Sequence, residues 1–137
     1  MQTLREMEIG VMFWGGRDPL STIRELKALG VRCGQLGVPG GMNLGGAAGA
    51  WEKALEAEQF TVVTVFAAYE GESYADIPTV QGTVGFVPAA TRASREARTR
   101  EISDFAAALG VASIACHVGF IPEDVTHPDY IAVRDML

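Results

Sequence analysis

Cysteine is scarce in this chain: Cys33 and Cys116 are the only two, and neither stands in a CxxC or a zinc-type spacing. That excludes a disulfide-stapled scaffold and, on spacing, a zinc ribbon or a thioredoxin-like redox centre. Both fall in stretches that read as strands, so both are expected to be buried, reduced thiols. A long hydrophobic run is also missing. The longest, residues 60–69, is about half of what a membrane-spanning helix requires. Residues 1–8 mix Arg5 with Glu6 and Glu8 and have no apolar core, so they do not read as a signal peptide. Positive charge is in short supply too, with 11 Lys and Arg against 17 Asp and Glu, a formal net charge of −6. A surface that acidic repels phosphate backbones and argues against a nucleic-acid partner. The expected location is the cytoplasm, with no membrane contact.

What the chain does have is enough apolar material, 48% of 137 residues, for one globular domain with a core. It also has a repeat. Ala28-Leu29-Gly30-Val31 returns as Ala108-Leu109-Gly110-Val111, each time between an amphipathic helical stretch and a short apolar run. Glycine suits the left-handed position that closes a helix, and valine opens a strand well. A helix-stop-strand joint met twice is the mark of a repeated βα unit.

Residues 8–14 read as a first strand. Asp18-Pro19 caps a helix carrying Leu20, Ile23, Leu26 and Leu29 at helical spacing. Residues 31–38 read as a second strand, in which Gly34 and Gly37 suggest a close approach to the backbone. A glycine-rich stretch, 39–49, precedes a helix over 47–59 with Trp51, Ala54 and Leu55 inward. Residues 60–68 form the strongest strand, apolar on both faces, as in parallel sheets covered on both sides. A long connection, 69–87, leads to a helix opened by Pro88. That helix is polar first, through Arg92, Arg95, Arg98 and Arg100, and then apolar through Ile102, Phe105, Ala106 and Leu109. Residues 111–118 read as a fourth strand, 119–129 as a loop, and 130–137 as the start of a fourth helix.

The fold class is therefore α/β, four parallel βα units of about 34 residues each in 137. Eight such units come to ~270 residues, near the ~250 of a (β/α)8 barrel, so the chain reads as a partial TIM barrel, four of eight units. An open flavodoxin-like sheet is the competing architecture. Half a barrel leaves two strand edges and one sheet face without partners. The expectation is that the other half has been cut away from a longer polypeptide; the alternative is that a second copy supplies the missing partners.

Ligands of parallel α/β proteins bind where strands end. Strand one ends at Phe13 and Trp14, two aromatics of which one points in and one out. The glycine-rich stretch after strand two matches neither GxGxxG nor a phosphate loop, and reads as a lid or flexible linker. Strand three runs into Glu70, Glu72, Tyr74 and Asp76, whose acids could move protons or accept from hydroxyls, although loop acids are commonly just solvated. His117 closes strand four, where an imidazole can titrate, polarise a carbonyl or bind a metal. The bland alternative is a histidine satisfied by a backbone carbonyl. His127-Pro128 reads as a helix start, and Glu123 and Asp124 as cap acids.

At these strand ends the chain resembles the sugar phosphate isomerase/epimerase family of xylose-isomerase-like TIM barrels. The resemblance is carried by Thr83-Val84-Gly85-Phe86-Val87-Pro88, by the stretch from Ser103 to Val111, and by His117-Val118-Gly119-Phe120-Ile121-Pro122-Glu123-Asp124. It covers essentially all 137 residues but only the N-terminal half of a family member. The resemblance implies a divalent-metal isomerase or epimerase of a sugar or sugar phosphate, moving a proton next to a carbonyl. His117 and Glu70 are the catalytic candidates, and Phe13, Trp14 and His117 the substrate-binding ones. The metal would be held by residues of the full-length protein, with no metal set in these 137 residues and no cofactor expected from them alone. Catalysis by this chain by itself is therefore not expected. The partners would be a sugar-like small molecule and either the missing half or a second copy, with no nucleic acid. A non-catalytic binding half-barrel that dimerises is one alternative. Another is the apurinic-endonuclease branch, where a histidine matching His117 is a metal ligand. Ala67 and Ala68 stand where that branch has another histidine.

Overall fold

The fold follows from how each helix is started and stopped. The computed structural model describes residues 7–137; the reading of the first six residues as no signal peptide lies outside them. Strand β1, Val11–Trp14, leads to helix α1, Pro19–Ala28. The Asp18 side chain accepts from the Ser21 backbone N–H at 2.9 Å, and Pro19 occupies the first turn. That bond holds the Asp18 carboxyl below its usual range. Gly30, at φ +83°, turns the chain out of α1 and into β2, Cys33–Val38. Helix α2, Ala47–Glu58, and strand β3, Thr61–Ala67, follow. Helices α3, Ile77–Thr83, and α4, Ala89–Ala108, come next. Gly110, at φ +70°, repeats the Gly30 turn before β4, Ile114–Cys116, and α5, Pro128–Met136.

The four strands form one sheet in the order β1-β2-β3-β4, and every pair is parallel. A doubly wound sheet reverses strand order partway, and this one does not. Parallel crossovers are right-handed as a rule, and in sequential order that puts the helices on one face. Ile23 of α1, Trp51 of α2, Ile102 of α4 and Val133 of α5 accordingly share one buried cluster with Phe13, Leu36 and Val65 of the strands.

Several expectations are corrected. β1 and β4 are shorter than read, because pairing spans only Val11–Trp14 and Ile114–Cys116. The connection 69–87 contains α3, capped by Asp76, whose carboxylate accepts from the Thr79 N–H at 2.8 Å. None of the α3 residues is buried, so α3 left no hydrophobic period to read. α5 starts at Pro128 rather than at residue 130. β3 is covered on one face only: Val62, Val65 and Ala67 are buried, whereas Val63 is 55% exposed. The register slips between Gly34 and Gln35, whose partners are Val62 and Thr64, so Val63 bulges. Both cysteines are free, Cys33 buried and Cys116 half-buried.

The polar first half of α4 is not a solvated face. Arg95, 4% exposed, donates to the Gly85 carbonyl at 2.6 Å and the Glu70 carbonyl at 3.1 Å. Arg92 donates to Phe86 and Val87 carbonyls and to Asp129. Arg98 donates to the Met42 carbonyl at 2.6 Å. These three side chains tie the loops after β2 and β3, and the start of α5, to one helix. The stretch 39–49 is thereby pinned rather than a free linker.

Candidate functional site

Trp14, the last residue of β1, points away from the helices and is 48% exposed. Its ring lies over Gly37, where a Cβ would come within 2.6 Å of it, so only glycine leaves the ring room. Gly34 does the same for Phe13 on the opposite face. The expected close approach to β2 is thus made by two aromatics of β1, one per face.

From Trp14 an aromatic row crosses the open face. Trp14 meets Phe66 edge-on, with centroids 6.3 Å apart. Phe66 meets His117 at 5.1 Å, again edge-on. His117 meets Tyr74 at 5.6 Å. The row runs along the carboxyl ends of β1, β3 and β4 and into the loop after β3. Parallel α/β architectures bind ligands at that rim.

His117 lies one residue past β4 and is exposed. Its Nδ1 is 2.8 Å from the Tyr74 hydroxyl. The Tyr74 hydroxyl also donates to Glu72 Oε2 at 3.4 Å. Glu72 is fixed in turn, accepting from the Gly85 N–H at 2.9 Å through Oε1 and from the Tyr69 N–H at 3.2 Å through Oε2. Burial, and then the Glu72 charge, push the Tyr74 phenol above its ordinary pKa. Tyr74 and His117 border a cavity of about 320 Å³ lined also by Val80, Val84, Val118 and Phe120.

The structure therefore brings Trp14 and His117 onto one face, with Phe66, Tyr74 and Glu72 completing the row. It does not bring Phe13 or Glu70 there. Phe13 is buried on the helix side, against Trp51 and Phe60, because neighbours on a strand point oppositely. The exposed Glu70 carboxylate lies against Gly41 and borders a separate cleft with Tyr69, Arg95 and Arg98. Glu72, two residues on, is the acid that reaches the row, through the Tyr74 hydroxyl. Phe66 was not legible from a period of two, because the slip at Val63 resets which residues of β3 face the open side; Tyr74 was not either, because its loop folds over the rim through non-local contacts. His127 accepts from the Asp129 N–H at 3.1 Å and starts α5, as read. Asp124 accepts from the Thr126 N–H at 2.8 Å in the loop before α5; the cap of α5 is His127 and its first-turn acid Asp129, so Glu123 and Asp124 are not the cap acids expected.

Among the described residues no three His, Cys, Asp or Glu side chains come together as a metal set. No described helix is long and apolar enough to cross a membrane.

Comparison with solved structures defines the class first: the sheet and its helices are half of a TIM barrel. More particularly, the chain is similar to a xylose isomerase domain protein from Planctomyces limnophilus, at 38% identity and a TM-score of 0.82. The match covers 93% of this chain and 45% of that protein, so the chain spans less than half of its neighbour's length. The xylose-isomerase-like resemblance read from the sequence stands. No family model matches the chain. No curated protein sequence matches it.

Proposed function

We propose that the chain forms the amino-terminal half of a sugar or sugar-phosphate isomerase or epimerase. The observation that carries this reading is the row Trp14-Phe66-His117-Tyr74 at the carboxyl rim of the sheet. Aromatic faces suit the C–H surface of a sugar ring, and an imidazole held at one nitrogen suits a hydroxyl at the other. The similarity to a xylose isomerase domain protein supports the same reading.

The divalent ion implied by the resemblance does not fit the donors of this chain, which has no three-ligand cluster among the described residues. Its ligands would belong to the completing half. The role of this half is then to seat and orient the substrate, and proton transfer by this chain alone is not expected. The completing half would be a continuation of the polypeptide. A second copy, giving a non-catalytic dimeric binding module, is the other reading, favoured by the exposed open face of β3.

Ligand-observed NMR with a panel of ketoses, aldoses and their phosphates tests the proposal. The expected result is binding that Trp14→Ala and His117→Ala each weaken at least tenfold, with no solvent deuterium entering the sugar. Exchange should appear once the completing half and a divalent ion are supplied. Binding of no sugar, or sugar binding indifferent to both substitutions, would overturn it. A stable dimer by sedimentation that binds sugar would instead establish the second reading.

A further inference from the structure

The Glu72-Tyr74-His117 chain has a direction. Glu72 is a carboxylate already engaged by two backbone N–H donors, so it can only accept. The Tyr74 hydroxyl has one proton, and an acceptor-only neighbour draws it. With the phenolic proton directed to Glu72 at 3.4 Å, the oxygen of Tyr74 accepts from His117 at 2.8 Å, and the proton of that contact is then carried by Nδ1. We propose that Tyr74 and Glu72 are positioning residues that lock neutral His117 in its Nδ1–H tautomer and present Nε2 to the ligand as a hydrogen-bond acceptor.

Nε2 has no partner among the described residues. Phe66 and Tyr74, both edge-on, restrict rotation of the ring. An acceptor at that point selects what faces it. A ligand hydroxyl satisfies it, whereas a carbonyl oxygen or a phosphate oxyanion, with no proton to give, does not. This deepens the isomerase reading and rests on it for the class of ligand: the sugar would meet His117 with a hydroxyl, leaving its carbonyl and any phosphate elsewhere. The tautomer itself stands independently of that reading.

His127 supplies an internal control. Its Nδ1 accepts from the Asp129 N–H, so its proton must sit on Nε2. The only two histidines of the chain are thus assigned opposite tautomers, and ring-nitrogen NMR distinguishes them.

The experiment is nitrogen-15 NMR of the whole chain labelled at histidine, at about pH 8, above the ordinary imidazole pKa. His127→Asn assigns the two rings. The expected spectrum gives His117 a pyrrole-like Nδ1 and a pyridine-like Nε2, and His127 the reverse. Tyr74→Phe removes the acceptor, and His117 should move to a majority of the Nε2–H form that free imidazole side chains prefer. Glu72→Ala removes the acceptor of the phenolic proton, frees that proton for Nδ1, and should give the same shift. Should Glu72→Ala fail to fold, Tyr74→Phe keeps the test decisive. An Nε2–H tautomer at His117 in the unaltered chain, or a tautomer that Tyr74→Phe leaves unmoved, would overturn the proposal. Sugar binding is a separate readout: a correct tautomer without sugar binding leaves the relay standing and sinks the isomerase reading.

Discussion

The two faces of the sheet differ in almost everything but sequence composition. On the helix side, Ile23, Leu36, Val65 and Ile102 are fully buried in one continuous cluster. On the other side, Met12, Trp14 and Val63 are each about half exposed. Both faces are built from apolar and aromatic residues, so hydrophobicity alone does not say which one is core. Stability of this chain therefore resides on the helix side, and the open side contributes little to it.

Side-chain truncation on each face should have very different costs. Trp51 is fully buried against Phe13, so Trp51→Ala should cost about 3–5 kcal/mol in urea denaturation. Val63→Ala, on the open face, should stay within about 0.5 kcal/mol. Equal costs would mean that the open face is covered in solution, and a concentration-dependent midpoint would identify the cover as another copy.

The two glycines of β2 sharpen the contrast, since each makes room for one β1 aromatic. A methyl at Gly34 meets the Val11 carbonyl and the Phe13 ring, both fixed by packing, so Gly34→Ala should destabilise by about 1–3 kcal/mol. A methyl at Gly37 meets only the Trp14 ring at close range, which can swing into solvent. Gly37→Ala should change stability by less than about 1 kcal/mol while shifting Trp14 fluorescence to the red and weakening sugar binding. An unshifted emission with a large stability loss would show Trp14 to be packed rather than available.

How far the sequence reached follows the same divide. The joints at Gly30 and Gly110, the Asp18-Pro19 cap and the parallel order were legible because caps and periodicity are local signals. The arginines of α4 were not. Arg92, Arg95 and Arg98 look like a solvated stripe, and only the fold shows that their partners are carbonyls of distant loops. At the candidate site, the strand-end rule named His117 and Trp14, which lie in one aromatic row. The choice between Glu70 and Glu72 was not available to it: a left-handed turn at Gly71, φ +79°, separates them, and which acid reaches Tyr74 is decided there.

The smallest expected effect compares two tyrosines across the divide. Tyr69 packs on the helix side against Phe86, its hydroxyl 2.7 Å from Thr99 Oγ1. Burial raises its pKa strongly, while Tyr74, half exposed on the open side, is raised by burial and by Glu72. A phenol whose folded pKa exceeds its unfolded value contributes stability that is fully present below about pH 10 and is lost as pH climbs through the folded pKa. Both tyrosines therefore predict a protein that weakens on the alkaline side, with the Tyr69 share persisting to higher pH. Alkaline difference absorbance of Tyr69→Phe and Tyr74→Phe separates the two: the step missing in Tyr74→Phe should lie at lower pH than the one missing in Tyr69→Phe. The reverse order would place Tyr74 in the drier environment and exchange the roles assigned to the two faces.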